Sequence, residues 1–159
     1  TIDAPCFKLY VASGTRQFFS VRFDDDKATV FCPPDTQFSR PEVQKLLSAA
    51  VVRAMKRRAQ QFLPPLLAEL ASMHGLTYKK VRVTGARSKW GSCTSAGTIN
   101  LSCYLMLLPP HLMDYVLLHE LAHTREMNHG QQFYALLNSM TDGMALQLRS
   151  QLRAFRTSF

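Results

Sequence analysis

The segment from His119 to His129, HELAHTREMNH, concentrates residues that bind metals and move protons. It holds three of the chain's five histidines and two of its four glutamates. Residues four apart on an α-helix share a face, so His119 and His123 can direct their imidazoles at one point. Glu120 lies about 100° further round the helix, next to that point rather than at it. This pattern suits zinc-dependent hydrolysis, in which a carboxylate takes a proton from water that the metal activates.

The third metal ligand must come from outside this helical pair, because a catalytic zinc usually takes three protein ligands and leaves one position open. His129 is the predicted third ligand, and it requires the chain to turn after His123. Met127 and Asn128 offer a place for this turn, since asparagine tolerates the left-handed conformation that ends helices. Glu126 is the alternative ligand, because a continuing helix would return it to the metal face. If His129 binds, we expect Glu126 to support the ligands or to form an ion pair.

The helix that carries this motif is predicted to be buried, because it is apolar nearly all the way round. Its polar groups would then cost a few kcal/mol each, unless something satisfies them as a metal would. The alternative is structural, with both histidines bonded to backbone carbonyls and Glu120 in a salt bridge. His74 and His111 fall at element ends, where solvation or capping is expected. The apolar positions are Leu112, Val116, Leu117, Leu118, Leu121 and Ala122.

The rest of the chain must supply the scaffold for the motif. Residues 7–32 alternate aromatic or β-branched side chains with polar ones, which predicts a small antiparallel β-meander. Ser39 and Glu42 have the spacing of a capping box at the start of a long amphipathic helix. Pro64-Pro65 should end or kink that helix, and Gly75 should cap its second part.

Beyond Gly75 the pattern predicts two strands, a proline-initiated helix and two further helices. These elements are a strand at 78–83, a strand at 98–107, the motif helix from Pro109-Pro110, and helices at 133–140 and 144–155. We therefore expect one α+β domain over residues 1–159, with an N-terminal β-meander at 1–38, a helical segment at 39–75 and a catalytic core at 76–159.

The net charge of +8 is concentrated in the middle of the chain. Between Arg40 and Lys89 there are eleven lysines and arginines against two acids. This basic 40–89 segment could meet nucleic acid, a phosphate ligand or acidic peptides, or it could be a solvated helix face.

The composition indicates no membrane segment, since no run of about eighteen apolar residues occurs. The N-terminal residues TIDAPCFKLY lack the layout of a signal peptide, and a cytoplasmic protein is expected. The cysteines have no C-x-x-C pairing and are predicted to be reduced thiols, mostly buried. They are Cys6, Cys32, Cys93 and Cys103.

With its flanking residues, the motif resembles a known family. SKWGSCTSAGTINLSCYLMLLPPHLMDYVLL precedes HELAHTREMNHG, and QQFYALL follows it. Over residues 81–137 the chain resembles the YgjP-like metallopeptidase family, a relative of the SprT and Spartan type of zincin domain. The resemblance implies a zincin-like fold, in which a small mixed or antiparallel sheet packs on a long helix and a buried active-site helix. It also implies peptide-bond hydrolysis, with Glu120 as general base and zinc held by His119, His123 and His129.

Two positions depart from related patterns. Lys89 stands before the tryptophan, where many relatives have arginine, and it keeps the charge without a bidentate fork. Glu126 stands where the better-known H-E-x-x-H-x-x-G-x-x-H peptidases have glycine, so the turn to His129 must be built differently.

A peptidase also needs groups that hold the substrate and the oxyanion. A tyrosine, Tyr104 or Tyr134, could stabilise the oxyanion, and so could the backbone at 90–91; the sequence leaves the choice open. Trp90 could instead be a core anchor and Gly91 a turn residue, while Cys93 is a less favoured latency ligand. The strand before such a helix commonly pairs with an extended substrate. The predicted substrate-binding residues are Trp90, Gly91, Ser92, Asn100, Tyr104 and Tyr134.

Three functions stay open: a zinc peptidase acting on proteins or peptides, a hydrolase of nucleoside triphosphates, and a DNA-associated protease module of the Spartan type. A purely structural zinc site is less favoured, because it would be closed by a fourth ligand and would not need Glu120. Neutral imidazoles are required to bind the metal, so occupancy should fall below about pH 6. The cations that could hold a triphosphate are Lys79, Lys80, Arg82, Arg87 and Lys89.

Overall fold

The computed structural model describes residues 1–155, which form seven short strands and four α-helices. This content confirms the predicted α+β class. In chain order the elements are β1 (Ile2–Ala4), β2 (Phe7–Ser13), β3 (Ser20–Asp24), β4 (Lys27–Cys32), α1 (Pro41–His74), β5 (Lys80–Thr84), β6 (Gly91–Cys93), β7 (Thr98–Ser102), a 3₁₀ turn (Cys103–Leu107), α2 (Pro110–His123), α3 (Gln131–Met140) and α4 (Ala145–Ala154).

The N-terminal sheet has the strand order β1-β2-β4-β3 and is mixed. β3 and β4 form an antiparallel hairpin whose turn places Asp25 in the left-handed region, at φ 51°. β2, however, pairs with β4 in parallel, with Leu9 opposite Ala28. The predicted antiparallel meander is therefore wrong. Alternation along a strand determines which side chains face the core, but it does not determine strand order.

Helix α1 is one continuous helix of 34 residues. It begins at Pro41 after Arg40, with no side-chain cap, so the predicted capping box of Ser39 does not form. Pro64-Pro65 lie inside the helix and do not end it. Interior prolines cost about 3 kcal/mol each, whereas each fully buried leucine contributes about 1.5–3 kcal/mol. The buried leucines that flank the prolines, Leu63, Leu67 and Leu70, offset that cost.

The C-terminal end of α1 is as predicted. Gly75 adopts a left-handed conformation at φ 64°, and its N–H bonds to the carbonyl groups that the helix leaves open. Leu76 then turns back into the core. The cap directs the chain into the second sheet.

The second sheet has the order β5-β7-β6, so β6 is an edge strand. β7 ends at Ser102, whose hydroxyl accepts a hydrogen bond from the Tyr104 N–H at 3.1 Å. The predicted strand to Leu107 is therefore wrong beyond Ser102, and Cys103–Leu107 form a 3₁₀ turn that is buried throughout. An uninterrupted apolar run has no period from which a strand could be distinguished from a helical turn.

Helix α2 is the buried helix that the sequence predicted. Ten of its 14 residues are buried, and it packs between the second sheet and helices α1, α3 and α4. One hydrophobic core runs from the N-terminal sheet across α1 to this helix. All four cysteines are free thiols, and Cys93 alone among them is half-buried rather than buried.

Candidate metal centre

Three imidazoles converge at the end of α2. His119 and His123 come from the last two turns of the helix, and His129 comes from the segment before α3. One ligand nitrogen from each ring lies within 4.8 Å of the others, and the Nε2 atoms of His123 and His129 are 2.9 Å apart. Nitrogens bound to one tetrahedral zinc at about 2.0–2.1 Å are roughly 3.3 Å apart. Small side-chain movements would therefore bring all three onto one ion.

The turn that brings His129 back differs from the predicted one. The N–H of Glu126 still bonds to the Ala122 carbonyl at 2.9 Å, and the Thr124 hydroxyl donates to the Leu121 carbonyl at 2.6 Å. Asn128 is not left-handed, so its predicted role is wrong. Through residue 155, the left-handed non-glycine residues are Asp25, Asp35 and Asp142. Hydrogen bonds to the carbonyl groups at the end of α2 instead hold the segment that leads to His129.

The second nitrogen of two rings is held by hydrogen bonds. Nδ1 of His123 donates to the carbonyl oxygen of Glu126 at 3.1 Å, and Nδ1 of His119 donates to Oε1 of Glu120 at 3.2 Å. Metal-binding histidines characteristically donate their other ring N–H to a carbonyl or carboxylate, which leaves Nε2 for the metal. Glu126 thus supports His123 through its backbone, while its carboxylate does not join the ligand group.

Glu120 is buried beside the three rings. Its Oε2 atom is enclosed and has no hydrogen-bond partner among the described residues. A buried carboxylate oxygen without a partner costs free energy, so its position needs an explanation. The metal site supplies one, because a cation or a water molecule bound beside the imidazoles would satisfy this oxygen. The residues present therefore fit a metal centre.

Gly91 at the start of β6 lets the sheet approach Glu120 closely. A Cβ atom added at Gly91 would lie 3.1 Å from the backbone oxygen of Asn100 and 3.2 Å from Cγ of Glu120. Both distances are shorter than ordinary van der Waals contact. A residue with a side chain at this position would displace the carboxylate or the strand.

Phe133 on α3 contacts all three imidazoles, a role that the sequence pattern did not predict. Its ring centroid lies 5.0 Å from that of His119, 4.5 Å from that of His123 and 4.9 Å from that of His129. The side chain is fully buried. Its position four residues after His129 is a weak signal, because only the turn before α3 decides whether it faces the site.

Charges and burial set the protonation of the groups around the centre. Burial, together with the imidazoles of His123 and His119, lowers the pKa of His129, so this ring stays neutral to lower pH than an ordinary histidine. Burial raises the pKa of the Cys93 thiol, and the charge of Glu120 raises it further. Cys93 is not in the ligand group that the described residues form, and its thiol stays protonated at neutral pH.

A cleft of about 200 Å³ opens beside the metal site. It contains two of the predicted substrate-binding residues, Trp90 and Gly91, and two site residues, His119 and Glu120. Its other lining residues were not predicted: Tyr115, Val116, Arg149, Leu152 and Arg153. Tyr115 had a local signal, since it precedes His119 by one helical turn. The lining residues of α4 had no such signal in the sequence.

The other predicted substrate-binding residues are divided between two places. Asn100 donates to the Ser92 hydroxyl at 3.2 Å across the β6–β7 pair, next to Gly91. Tyr134 is half-buried on α3, with its ring centroid 5.2 Å from that of Phe133. Tyr104 is not in the cleft, because it lies in a separate groove against helix α1.

The basic 40–89 segment lies mainly on α1 and around β5. β5 is the outer strand on the side of β7 opposite β6. None of the five cations proposed to hold a triphosphate is among the residues that line the metal-site cleft. In the described part of the chain, no helix combines the length and the apolar character needed to cross a membrane.

Comparisons with known proteins identify a family and a similar fold. The model of the YgjP-like metallopeptidase domain matches residues 9–155. Among solved structures, the metallopeptidase zymogen of Pyrococcus abyssi abylysin is similar, with a TM-score of 0.52 and 23% sequence identity. The match covers 57% of this chain and 91% of that one. The zymogen of Methanocaldococcus jannaschii jannalysin is matched over 56% of this chain and 95% of its own, with a TM-score of 0.45 and 21% identity. No curated protein matches.

The likeness in fold confirms the predicted zincin-like α+β architecture. The matched family model spans the chain from within β2 to the end of α4, and the three imidazoles could hold a metal as such a peptidase requires. The chain therefore belongs to the YgjP-like metallopeptidase family.

Proposed function

We propose that this protein is a zinc-dependent peptidase that hydrolyses peptide bonds. One observation carries the proposal: three imidazole nitrogens lie within 4.8 Å of one another, beside a buried carboxylate oxygen that has no partner in residues 1–155. A structural site would be closed by a fourth protein ligand. Here the described residues supply three, and one oxygen of the adjacent carboxylate, Oε2 of Glu120, has no structural partner.

His119, His123 and His129 would hold the metal through neutral nitrogens, and a set of three imidazoles suits zinc. When bound, zinc supplies a Lewis acid that activates water and polarises a carbonyl group. Phe133 and the hydrogen bonds to Nδ1 of His119 and His123 orient the rings.

Glu120 acts as the general base. Its Oε1 accepts a hydrogen bond from His119, which fixes the carboxylate, while Oε2 remains available for a proton. Oε2 takes the proton from the attacking water and passes it to the leaving amine. Gly91 keeps the space beside Cγ of Glu120 free for this geometry.

The substrate would lie along β6. β6 pairs only with β7 in the described sheet, so its outer edge can accept the backbone of an extended peptide. Tyr115 lines the same cleft, and burial raises the pKa of its phenol, which therefore remains an O–H donor. We assign Tyr115 to the oxyanion, because Tyr134 is not among the residues that line the cleft and Tyr104 lies in another groove.

No specific observation favours the other two functions. The five cations predicted to hold a triphosphate are not among the residues that line the cleft, so that particular set does not form a phosphate-binding wall there. Binding of nucleic acid by the basic 40–89 segment stays a prediction, and the family match adds nothing to it.

The decisive experiment is the Glu120→Gln variant. We expect it to retain zinc, measured by metal analysis, and to lose about 10²–10⁴-fold in peptide hydrolysis. Glu69→Gln, at an exposed position of α1, is the matched control and should keep full activity. Casein, a peptide library and nucleoside triphosphates are offered to each protein. Hydrolysis of triphosphates but not of peptides, or an unchanged rate in Glu120→Gln, would refute the proposal.

A further inference from the structure

Arg149 is a cation placed inside the metal-site cleft. It lies on α4, is half-buried, and lines the cleft together with His119 and Glu120. Its charge opposes the effect of burial on the pKa of Tyr115. The guanidinium field therefore reaches the proposed oxyanion donor in the same cleft.

No acidic side chain of the described residues forms an ion pair with Arg149. Among residues 1–155, Glu120 is the only carboxylate that lines the cleft, and its unpartnered oxygen is not satisfied by this arginine. A half-buried guanidinium has lost part of its hydration, which an anion would restore. Arg153 lines the same cleft one helical turn later and adds charge of the same sign.

The peptide bond to be cleaved is neutral, and the metal and Glu120 already account for its hydrolysis. Tyr115 is assigned to the oxyanion, so we match the cation to a charged part of the substrate. A carboxylate is the anion that every peptide carries at its C-terminus, and arginine binds it with a bidentate fork.

The shape of the cleft favours a terminal residue. Its volume of about 200 Å³ is below the roughly 300–1,000 Å³ of pockets for drug-sized ligands, so it suits one residue rather than a longer segment. Trp90, Val116 and Leu152 give it apolar walls. Trp90 also meets Phe155 edge-on at a centroid distance of 6.5 Å, which joins the start of β6 to the end of α4.

We propose that Arg149 binds the free C-terminal carboxylate of the substrate, so that this enzyme preferentially releases a single apolar residue from the C-terminus of peptides. This inference rests on the proposed peptidase function. Arg149 acts as a specificity-determining residue, and its contribution appears mainly in substrate binding rather than in turnover.

Trp90 provides a direct readout of binding, because it is the only tryptophan in the chain and lines the cleft. Zinc-loaded and metal-free Glu120→Gln protein is titrated with matched peptides that end in an apolar residue, either as the free acid or as the amide. We expect the free acid to bind about tenfold more tightly than the amide, because one charge-assisted hydrogen-bonded pair at a partly exposed site contributes about that much. Zinc-loaded wild-type protein is tested for cleavage of the same pair.

Substitutions at Arg149 separate charge from structure. In the Glu120→Gln background, Arg149→Gln should remove the difference between acid and amide, and Arg149→Lys should retain part of it. In the wild-type background, Arg149→Gln should raise KM for the free acid far more than it lowers kcat. Arg22→Gln, in the exposed part of β3, is the control and should change neither. Thermal unfolding verifies that each variant is folded.

The outcomes distinguish this inference from the function on which it rests. If the Glu120→Gln protein with Arg149 intact bound the free acid and the amide equally tightly, the role of Arg149 would be overturned. An amidated peptide that carries an aspartate side chain is tested as well. If it bound as tightly as the free acid, the cleft would bind side-chain carboxylates, and the assignment of Arg149 to the C-terminal carboxylate would be overturned. Selective binding of the free acid without cleavage of any peptide would leave Arg149's role standing and overturn the peptidase function.

Discussion

The support that Phe133 gives to the metal centre leads to a quantitative prediction. The side chain is 0% exposed, and its ring contacts the imidazoles of all three ligands. Truncation of a buried phenylalanine to alanine costs about 3–5 kcal/mol, and leucine, which keeps part of the volume, should cost about 1–2 kcal/mol. Phe133→Leu should therefore fold, although with reduced stability.

The effect on zinc should exceed this loss of packing. Partners that orient metal ligands typically contribute about 10–100-fold to metal affinity. Because one ring supports three ligands here, we expect Phe133→Leu to bind zinc at least about tenfold more weakly. Competition with a chromophoric chelator at neutral pH measures the affinity, and urea unfolding of the metal-free protein measures the stability.

Phe7→Leu provides the matched control. Phe7 is 1% exposed in β2 of the N-terminal sheet, so its replacement should reduce stability to a similar extent. It contacts none of the metal ligands by ring stacking and should leave zinc affinity unchanged. If both variants bound zinc as tightly as the wild type, Phe133 would be an ordinary core residue, and the reasoning would be wrong.

Two further predictions concern the same centre. Gly91→Ala should lower peptidase activity by at least about tenfold with little loss of zinc, because the new Cβ would lie against the backbone oxygen of Asn100 and Cγ of Glu120. Gly130→Ala is the control, because a Cβ atom at Gly130 would have nothing within 4 Å. Similar kinetics for the two variants would contradict this prediction. Zinc occupancy should fall with acidity below about pH 6, because protons compete for the imidazoles. Because the pKa of His129 is lowered, that ring stays neutral to a lower pH than an ordinary histidine. Zinc occupancy, measured by equilibrium dialysis, should therefore not decline while the pH stays above about 6.

The central part of the site could be read from the sequence because it depends on local geometry. His119, Glu120 and His123 lie on one helix, and the helical repeat alone places the two histidines on a common face. The buried character of α2 followed from its continuous apolar surface. Glu126 and His129 were harder to separate, because the choice depended on where the helix ends. The structure brings His129 to the group and leaves the carboxylate of Glu126 outside it.

Errors arose where long-range packing overrides local preference. The prolines of α1 would end an isolated helix, yet buried leucines on the same helix keep it continuous. The apolar run after Ser102 has no period, so its 3₁₀ turn could not be told from a strand. The parallel pairing of β2 with β4 depends on the path of a connecting segment, which alternation does not record.

The spacing of HELAHTREMNH by itself determined that His119, Glu120 and His123 lie close together, because the helical repeat places them on adjoining faces within about one turn. The tertiary structure alone decided what surrounds these residues. Phe133, Arg149 and the close approach of Gly91 come from elements that share no local period with α2, so their positions follow only from how those elements pack together.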